Sequence, residues 1–144
     1  IILGDFLHAA EGRTAGTLDA LAAWRAAHPD LEIILVRGNH DRHAGDPPAS
    51  LDIACMTEPV IDGPFVLAHR PSPSAAGYTL AGHIHPAAIL AGAGRQRLRL
   101  SCFWFGPAVG VLPAFGDFTG RAEISPQATD QVYVVADGAV HRVT

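Results

Sequence analysis

The chain contains no lysine. All ten of its basic residues are arginine, beside abundant Ala, Gly and Pro, which reads as a compositional bias of the genome and says little about function. It also lacks any apolar run of membrane-spanning length, so a soluble protein is expected. Cysteine is scarce: Cys55 and Cys102 stand far apart and form no Cys-x-x-Cys pair. With no secretory leader in view, free thiols in a reducing compartment are expected, and hence a cytoplasmic location. Positive charge is in deficit, and the formal charge of −4 argues against broad attraction to a polyanion. Any nucleic-acid contact is therefore expected to be local, through arginine clusters or bound cations. No internal repeat or linker breaks the sequence, so a single domain over residues 1–144 is expected. Its composition, 49% hydrophobic and 17% charged, is that of a globular protein with a core of ordinary size.

The first residues are Ile1-Ile2-Leu3, without an initiator Met, and they read as a buried strand. A strand within a sheet needs neighbours on both sides, so an upstream segment is expected. Thr14 or Thr17 can cap a helix running to about His28, with Leu18, Leu21, Ala22 and Arg25 at helical spacing and Pro29 closing it. Leu31 to Val36 reads as a strand covered on both faces, because Ile33-Ile34-Leu35-Val36 is unbroken. Ala44 to Ser50 is a loop, and Leu51 to Met56 forms a further short element. Phe65 to Ala68, Tyr78 to Ala81, Arg97 to Phe105, Val109 to Leu112 and Gln131 to Val135 read as strands. The expected class is α/β with a β-rich second half.

Five positions able to bind metal follow apolar or glycine-led runs. They close Ile1-Ile2-Leu3-Gly4-Asp5, Gly38-Asn39-His40-Asp41, Ala68-His69 and Gly82-His83, with His85 one residue further on. In an open α/β sheet, residues just past several strands converge on the crevice at the strands' carboxyl ends. A mixture of imidazole, carboxylate and amide donors suits Mn, Fe, Zn or Co, whereas oxygen alone would favour Mg or Ca. A bridging carboxylate can hold two such ions about 3.5–4 Å apart, as phosphoryl transfer requires. Asp5 is the natural bridge.

Each residue alone has a plainer account. Asp5 after Gly4 can be a turn residue or a cap, Gly38-Asn39 is a common turn pair, and His69 or His83 can be a hydrogen-bonded structural histidine. The order in which they occur together favours the metal reading.

That order resembles the calcineurin-like metallophosphoesterase superfamily. Within it, Gly4-Asp5-Phe6-Leu7-His8, Gly38-Asn39-His40-Asp41-Arg42, Gly82-His83-Ile84-His85-Pro86, Cys102-Phe103-Trp104-Phe105-Gly106 and Leu112-Pro113-Ala114-Phe115-Gly116 are similar to the bacterial ligase-associated DNA damage response endonuclease group. The resemblance implies a two-sheet α/β sandwich flanked by helices, lacking its first strand in this chain. It implies two divalent ions, with manganese the first expectation. Asp5 would bridge them, Asn39, His69 and His83 would complete one, and His85 would bind the other. The family's Asp-x-His pair is not found ahead of Asp5, which leaves one site incomplete. By the same resemblance a hydroxide held by the metals attacks phosphorus, His40 serves the leaving oxygen and Asp41 polarises His40. The implied activity is phosphodiester hydrolysis, with DNA as a substrate in a repair setting and a DNA ligase or helicase as partner.

Other residues flank this set. His8 can reach substrate or cap the following segment, and Arg42 and Arg70 can bind phosphate oxygens or pair with carboxylates such as Asp41. Arg95, Arg97 and Arg99 alternate on one face of a strand, usually a solvated arrangement, though it could follow a nucleic-acid backbone. Cys102 to Phe105 reads as β core, with an aromatic platform as the alternative. Asp117, in a second Gly-Asp pair, reads as a turn. Two rival functions stand beside the nuclease: hydrolysis of small phosphoesters or cyclic nucleotides, and a non-catalytic phosphate-binding scaffold.

Overall fold

A computed structural model describes residues 1–116 and 119–143, so Asp117 lies outside the described residues. The chain divides into two compact units. One comprises Ile1–Val60 with Leu67–His69, and the other Ile61–Val66 with the chain from Arg70 onward. Among the described residues no helix is long and apolar enough to cross a membrane.

In the first unit, α1 (Ala15–Ala27) begins where Thr14 Oγ1 accepts the Thr17 amide and ends at His28, as the cap residues require. It leads into β1 (Ile33–Val36), which pairs in parallel with β2 (Ile53–Met56). Leu35 and Val36 are fully buried, which explains the unbroken apolar run. The initial Ile-Ile-Leu run differs from its expected form. Ile2 makes one parallel bridge to Leu35 through bonds of 2.8 and 2.9 Å, while Ile1 stays 59% exposed. Pairing on one side gives its backbone a partner and leaves Ile2 and Leu3 only partly buried.

A short helix, α2 (Asp41–Ala44), follows β1. Arg13 fixes its end by donating to the carbonyls of Ala44, Gly45 and Asp46 at 3.3, 3.2 and 2.7 Å. Arg37 adds a two-pronged pair with Asp46, both bonds 2.6 Å, which holds the Asp46 carboxyl below its ordinary range.

The large sheet contains β3 (Val60–Asp62), β4 (Phe65–Ala68), β5 (Tyr78–Ala81), β6 (Pro86–Ala91), β7 (Arg97–Phe105), β8 (Val109–Val111), β9 (Ala122–Glu123), β10 (Gln131–Ala136) and β11 (Ala139–Arg142). Its order is β11-β10-β7-β8-β5-β4-β3, with β6 on β7 and β9 on β6. Parallel and antiparallel pairs are mixed. The architecture is α/β with few helices, which agrees with the expected class at that level.

The second unit's core is Ala88, Cys102, Ile124, Val132 and Val134, with Leu90, Leu100 and Trp104 against it. Trp104 Nε1 donates to the buried Asp130 at 2.8 Å. Alternation along β7 therefore sends Cys102 and Trp104 inward and Phe103 and Phe105 to the opposite face. The expected four-residue core block is split between two faces. Arg95 also departs from expectation, since it lies in a turn before β7 and leaves only Arg97 and Arg99 on the strand.

Candidate active site

Three segments of the first unit meet around Asp5: the loop from Gly4, the turn at Gly38 and the end of β4 at His69. Their approach depends on the missing side chains of two glycines. Gly4 has φ +90°, and a Cβ there would fall 2.3 Å from His69 Nδ1. A Cβ on Gly38 would fall 2.3 Å from Asp5 Oδ1. Neither distance is tolerable, so both positions require glycine.

Asp41 fastens the two loops together. Its Oδ2 accepts the amides of Asp5 and Gly38 at 2.6 and 2.8 Å, and its Oδ1 those of Phe6 and Leu7 at 2.9 and 3.3 Å. The residue is 1% exposed, and four donors use the capacity of a carboxylate. Asp5 reciprocates, as its Oδ1 accepts the His40 amide at 3.0 Å. Asp41, expected to polarise His40, gives both carboxylate oxygens to backbone amides. His40 Nδ1 instead donates to the carbonyl of His8 at 3.0 Å. The two imidazoles stack with centroids 3.9 Å apart, which leaves His40 Nε2 as the atom able to give or take a proton.

His69 is 1% exposed and oriented from both sides. Its Nδ1 donates to Leu3 O at 2.8 Å, so in the neutral ring the lone pair is on Nε2. That atom lies 2.9 Å from Asn39 Oδ1 and 3.4 Å from Asp5 Oδ2. An imidazole nitrogen, an amide oxygen and a carboxylate oxygen therefore converge, and a cation could be shared among them. The mixed nitrogen and oxygen set suits a borderline divalent ion, and the Nδ1 bond to a backbone carbonyl is the support that ligating histidines ordinarily have.

Glu58 completes the support and had no signature in the sequence. Its Oε2 accepts the His69 amide at 2.7 Å, and its Oε1 lies 3.7 Å from Arg42. Arg42 thus pairs with Glu58, not Asp41, although its side chain remains mostly exposed. A lone glutamate before a proline carries no periodic signal; only the fold brings it to residue 69.

His83 and His85 belong to the second unit, on the turn after β5. The Ile84 amide donates to Gly82 O at 2.8 Å, and both histidines have left-handed backbone, at φ 68° and 53°. His85 Nδ1 donates to Gly120 O at 3.1 Å, leaving Nε2 open for coordination. His83 and Arg70 are exposed. Six non-glycine residues have positive φ among those described, and three of them are Asp5, His83 and His85. Strain of this kind persists where surrounding structure enforces it, often at working sites.

Among solved structures, the chain is similar to the crystal structure of the Pseudomonas putida nuclease MPE, with 48% sequence identity and a TM-score of 0.88. The match covers 99% of this chain and 68% of that one. No family model matches the chain, and no curated protein does.

Proposed function

Because the chain belongs to the family of the Pseudomonas putida nuclease MPE, we propose that it is a metal-dependent phosphodiesterase that cuts nucleic acid, of the calcineurin-like metallophosphoesterase type. The observation that carries the metal dependence is the convergence of Asp5 Oδ2, Asn39 Oδ1 and the lone pair of His69 Nε2. Asp5, Asn39 and His69 would hold one ion together with His83, which the motif assigns to the same set. Asp5 and His85 would contribute to a second. Manganese is the first choice, with iron, zinc or cobalt fitting the same donors. When bound, such ions supply Lewis acidity at the phosphoryl oxygens and lower the pKa of water.

The remaining chemistry belongs to side chains. His40 Nε2 protonates the leaving oxygen, held in position by the His8 carbonyl behind Nδ1 and the His8 ring against its face. Asp41 keeps Asp5 on its strained loop. Arg70 and Arg42 would bind phosphate oxygens, Arg42 by leaving Glu58. The resemblance adds a DNA-repair setting beside a ligase or helicase.

The test is calorimetric titration with Mn²⁺, with hydrolysis of bis(p-nitrophenyl) phosphate measured in parallel, for the wild type and Asn39→Ala. Saturable uptake with hydrolysis is expected, both weakened at least about tenfold in the variant. Uptake and rate that are the same in the two proteins would refute the assignment.

A further inference from the structure

We propose that the face of the large sheet opposite the second unit's core is a binding platform for single-stranded nucleic acid. The proposal rests on the nuclease reading for its biological sense, but its geometry is that of the second unit alone, chiefly β7, β10 and β11. Cys102 and Trp104 of β7, and Val132 and Val134 of β10, point into the core. By alternation, Arg97, Arg99, Ser101, Phe103 and Phe105 occupy the opposite face of β7, and Tyr133 that of β10.

Strand register aligns them. Tyr133 is the partner of Phe103 on one side and of Arg142 on the other. The Phe103 and Phe105 rings are nearly parallel, 9° apart with centroids at 6.2 Å, and Phe105 meets Tyr133 edge-on at 6.0 Å. All three rings remain partly accessible. Gly110, beside Phe105, has no room for a Cβ, which would fall 2.6 Å from the ring, so the neighbouring strand is cut back to seat it.

Arginines border the rings. Arg97, Arg99 and Arg142 are exposed, and Arg99 also donates to the carbonyl of Arg121. One carboxylate, Glu123, lies 3.9 Å from Arg97, with both side chains more than half exposed, so water weakens that pair. The charge distribution favours an anionic partner here. Residues 1–94 hold five arginines and ten acids, whereas residues 95–144 hold five and four, so the net charge of −4 divides into −5 and +1. Rings on which bases stack, flanked by guanidinium groups for phosphates, are what an unpaired strand requires. A duplex keeps its bases stacked internally and cannot use the rings.

The experiment is fluorescence anisotropy of a labelled oligothymidylate in EDTA, with a duplex of equal length as competitor. Tyr133→Leu and Phe103→Leu are each expected to weaken binding about five- to a hundredfold, the range that one base–aromatic stack carries. Tyr133→Phe keeps the ring and the affinity, which separates stacking from folding. Trp24→Leu removes an exposed ring of α1 and leaves binding unchanged. Arg99→Gln lowers the salt slope by about 0.7, as loss of one phosphate contact on a single strand does.

Equal binding by the wild type and both leucine variants would overturn the proposal, as would preference for the duplex. Self-association that Tyr133→Leu abolishes, without oligonucleotide binding by the wild type, would also overturn it and assign the face to a second copy. Wild-type protein that binds the oligonucleotide through this face yet hydrolyses no phosphodiester with manganese would support the platform and refute the nuclease reading alone.

Discussion

Replacing Asp41 by Asn separates two accounts of that residue. The carboxylate receives two backbone amides on each oxygen: Asp5 and Gly38 on one, Phe6 and Leu7 on the other. An asparagine oxygen can keep one pair, but its amide group then presents hydrogens to the other two donors. Two buried N–H groups lose their partners at about 1–3 kcal/mol each, roughly 2–6 kcal/mol together. With a urea slope of about 2 kcal/mol per molar, the unfolding midpoint should fall by roughly 1–3 M. Hydrogen exchange at Asp5, Phe6, Leu7 and Gly38 should accelerate, and manganese uptake should weaken because Asp5 is no longer held. Had Asp41 served only to polarise His40, the variant would lose rate with an unchanged midpoint and unchanged exchange. That result would refute the clamp.

Gly38→Ala should cost manganese affinity at least about tenfold by titration, since its Cβ would fall 2.3 Å from Asp5 Oδ1 and displace the carboxylate proposed to bind the ion. Burial pushes the Cys102 thiol up to about 11, so at pH 8 roughly one in a thousand is thiolate. Native protein titrated with a disulfide reagent should therefore release signal from the partly buried Cys55 first, and Cys102 should react only after unfolding. The Arg37–Asp46 pair, led by its side-chain hydrogen bonds, lowers the Asp46 pKa. Its stabilisation is present above the unfolded carboxylate range near pH 4 and is lost as pH falls through the lower folded value. Asp46 is 47% exposed, so the effect should be under about 1 kcal/mol. The midpoint gap between the wild type and Asp46→Asn should narrow between pH 5 and pH 3, and a constant gap would contradict this account.

What could be read from the sequence depended on whether a residue's reason was local. Thr14 caps the segment that follows it, and the expected strands Phe65–Ala68, Tyr78–Ala81 and Arg97–Phe105 have those bounds in the structure. β6 was not foreseen, because Pro86-Ala-Ala-Ile-Leu-Ala has little intrinsic strand preference and becomes a strand through five pairs to β7. The split of Cys102-Phe103-Trp104-Phe105 between two faces likewise needs the neighbours Val132 and Val134 to show which side is core. At the site, Gly4-Asp5 and Gly38-Asn39 were legible as motifs, although the steric reason for their glycines was not. Asp41 and Glu58 bind backbone amides of segments 34–36 and 11 residues away, respectively, and for Asp41 also its neighbour Gly38, contacts that no spacing rule encodes.

The left-handed residues show why such support is needed. Asp5 at φ 57° sits in a conformation that costs an ordinary side chain ~1 kcal/mol or more. Glycine would relieve that strain but would remove the carboxylate that meets His69 Nε2. The backbone must therefore be held by other groups, and the Asp41 bonds to the amides of residues 5, 6 and 7 do so immediately after the strained peptide. His85 follows the same logic in the second unit. Its φ is 53°, its Nδ1 donates to Gly120 O, and its own carbonyl accepts the Ala122 amide at 3.0 Å. In both places hydrogen bonds to the backbone offset the strain at the left-handed residue. Substitutions at these supports should therefore impair the site before they unfold the sheet, because the strained turns, not the strands, depend on them.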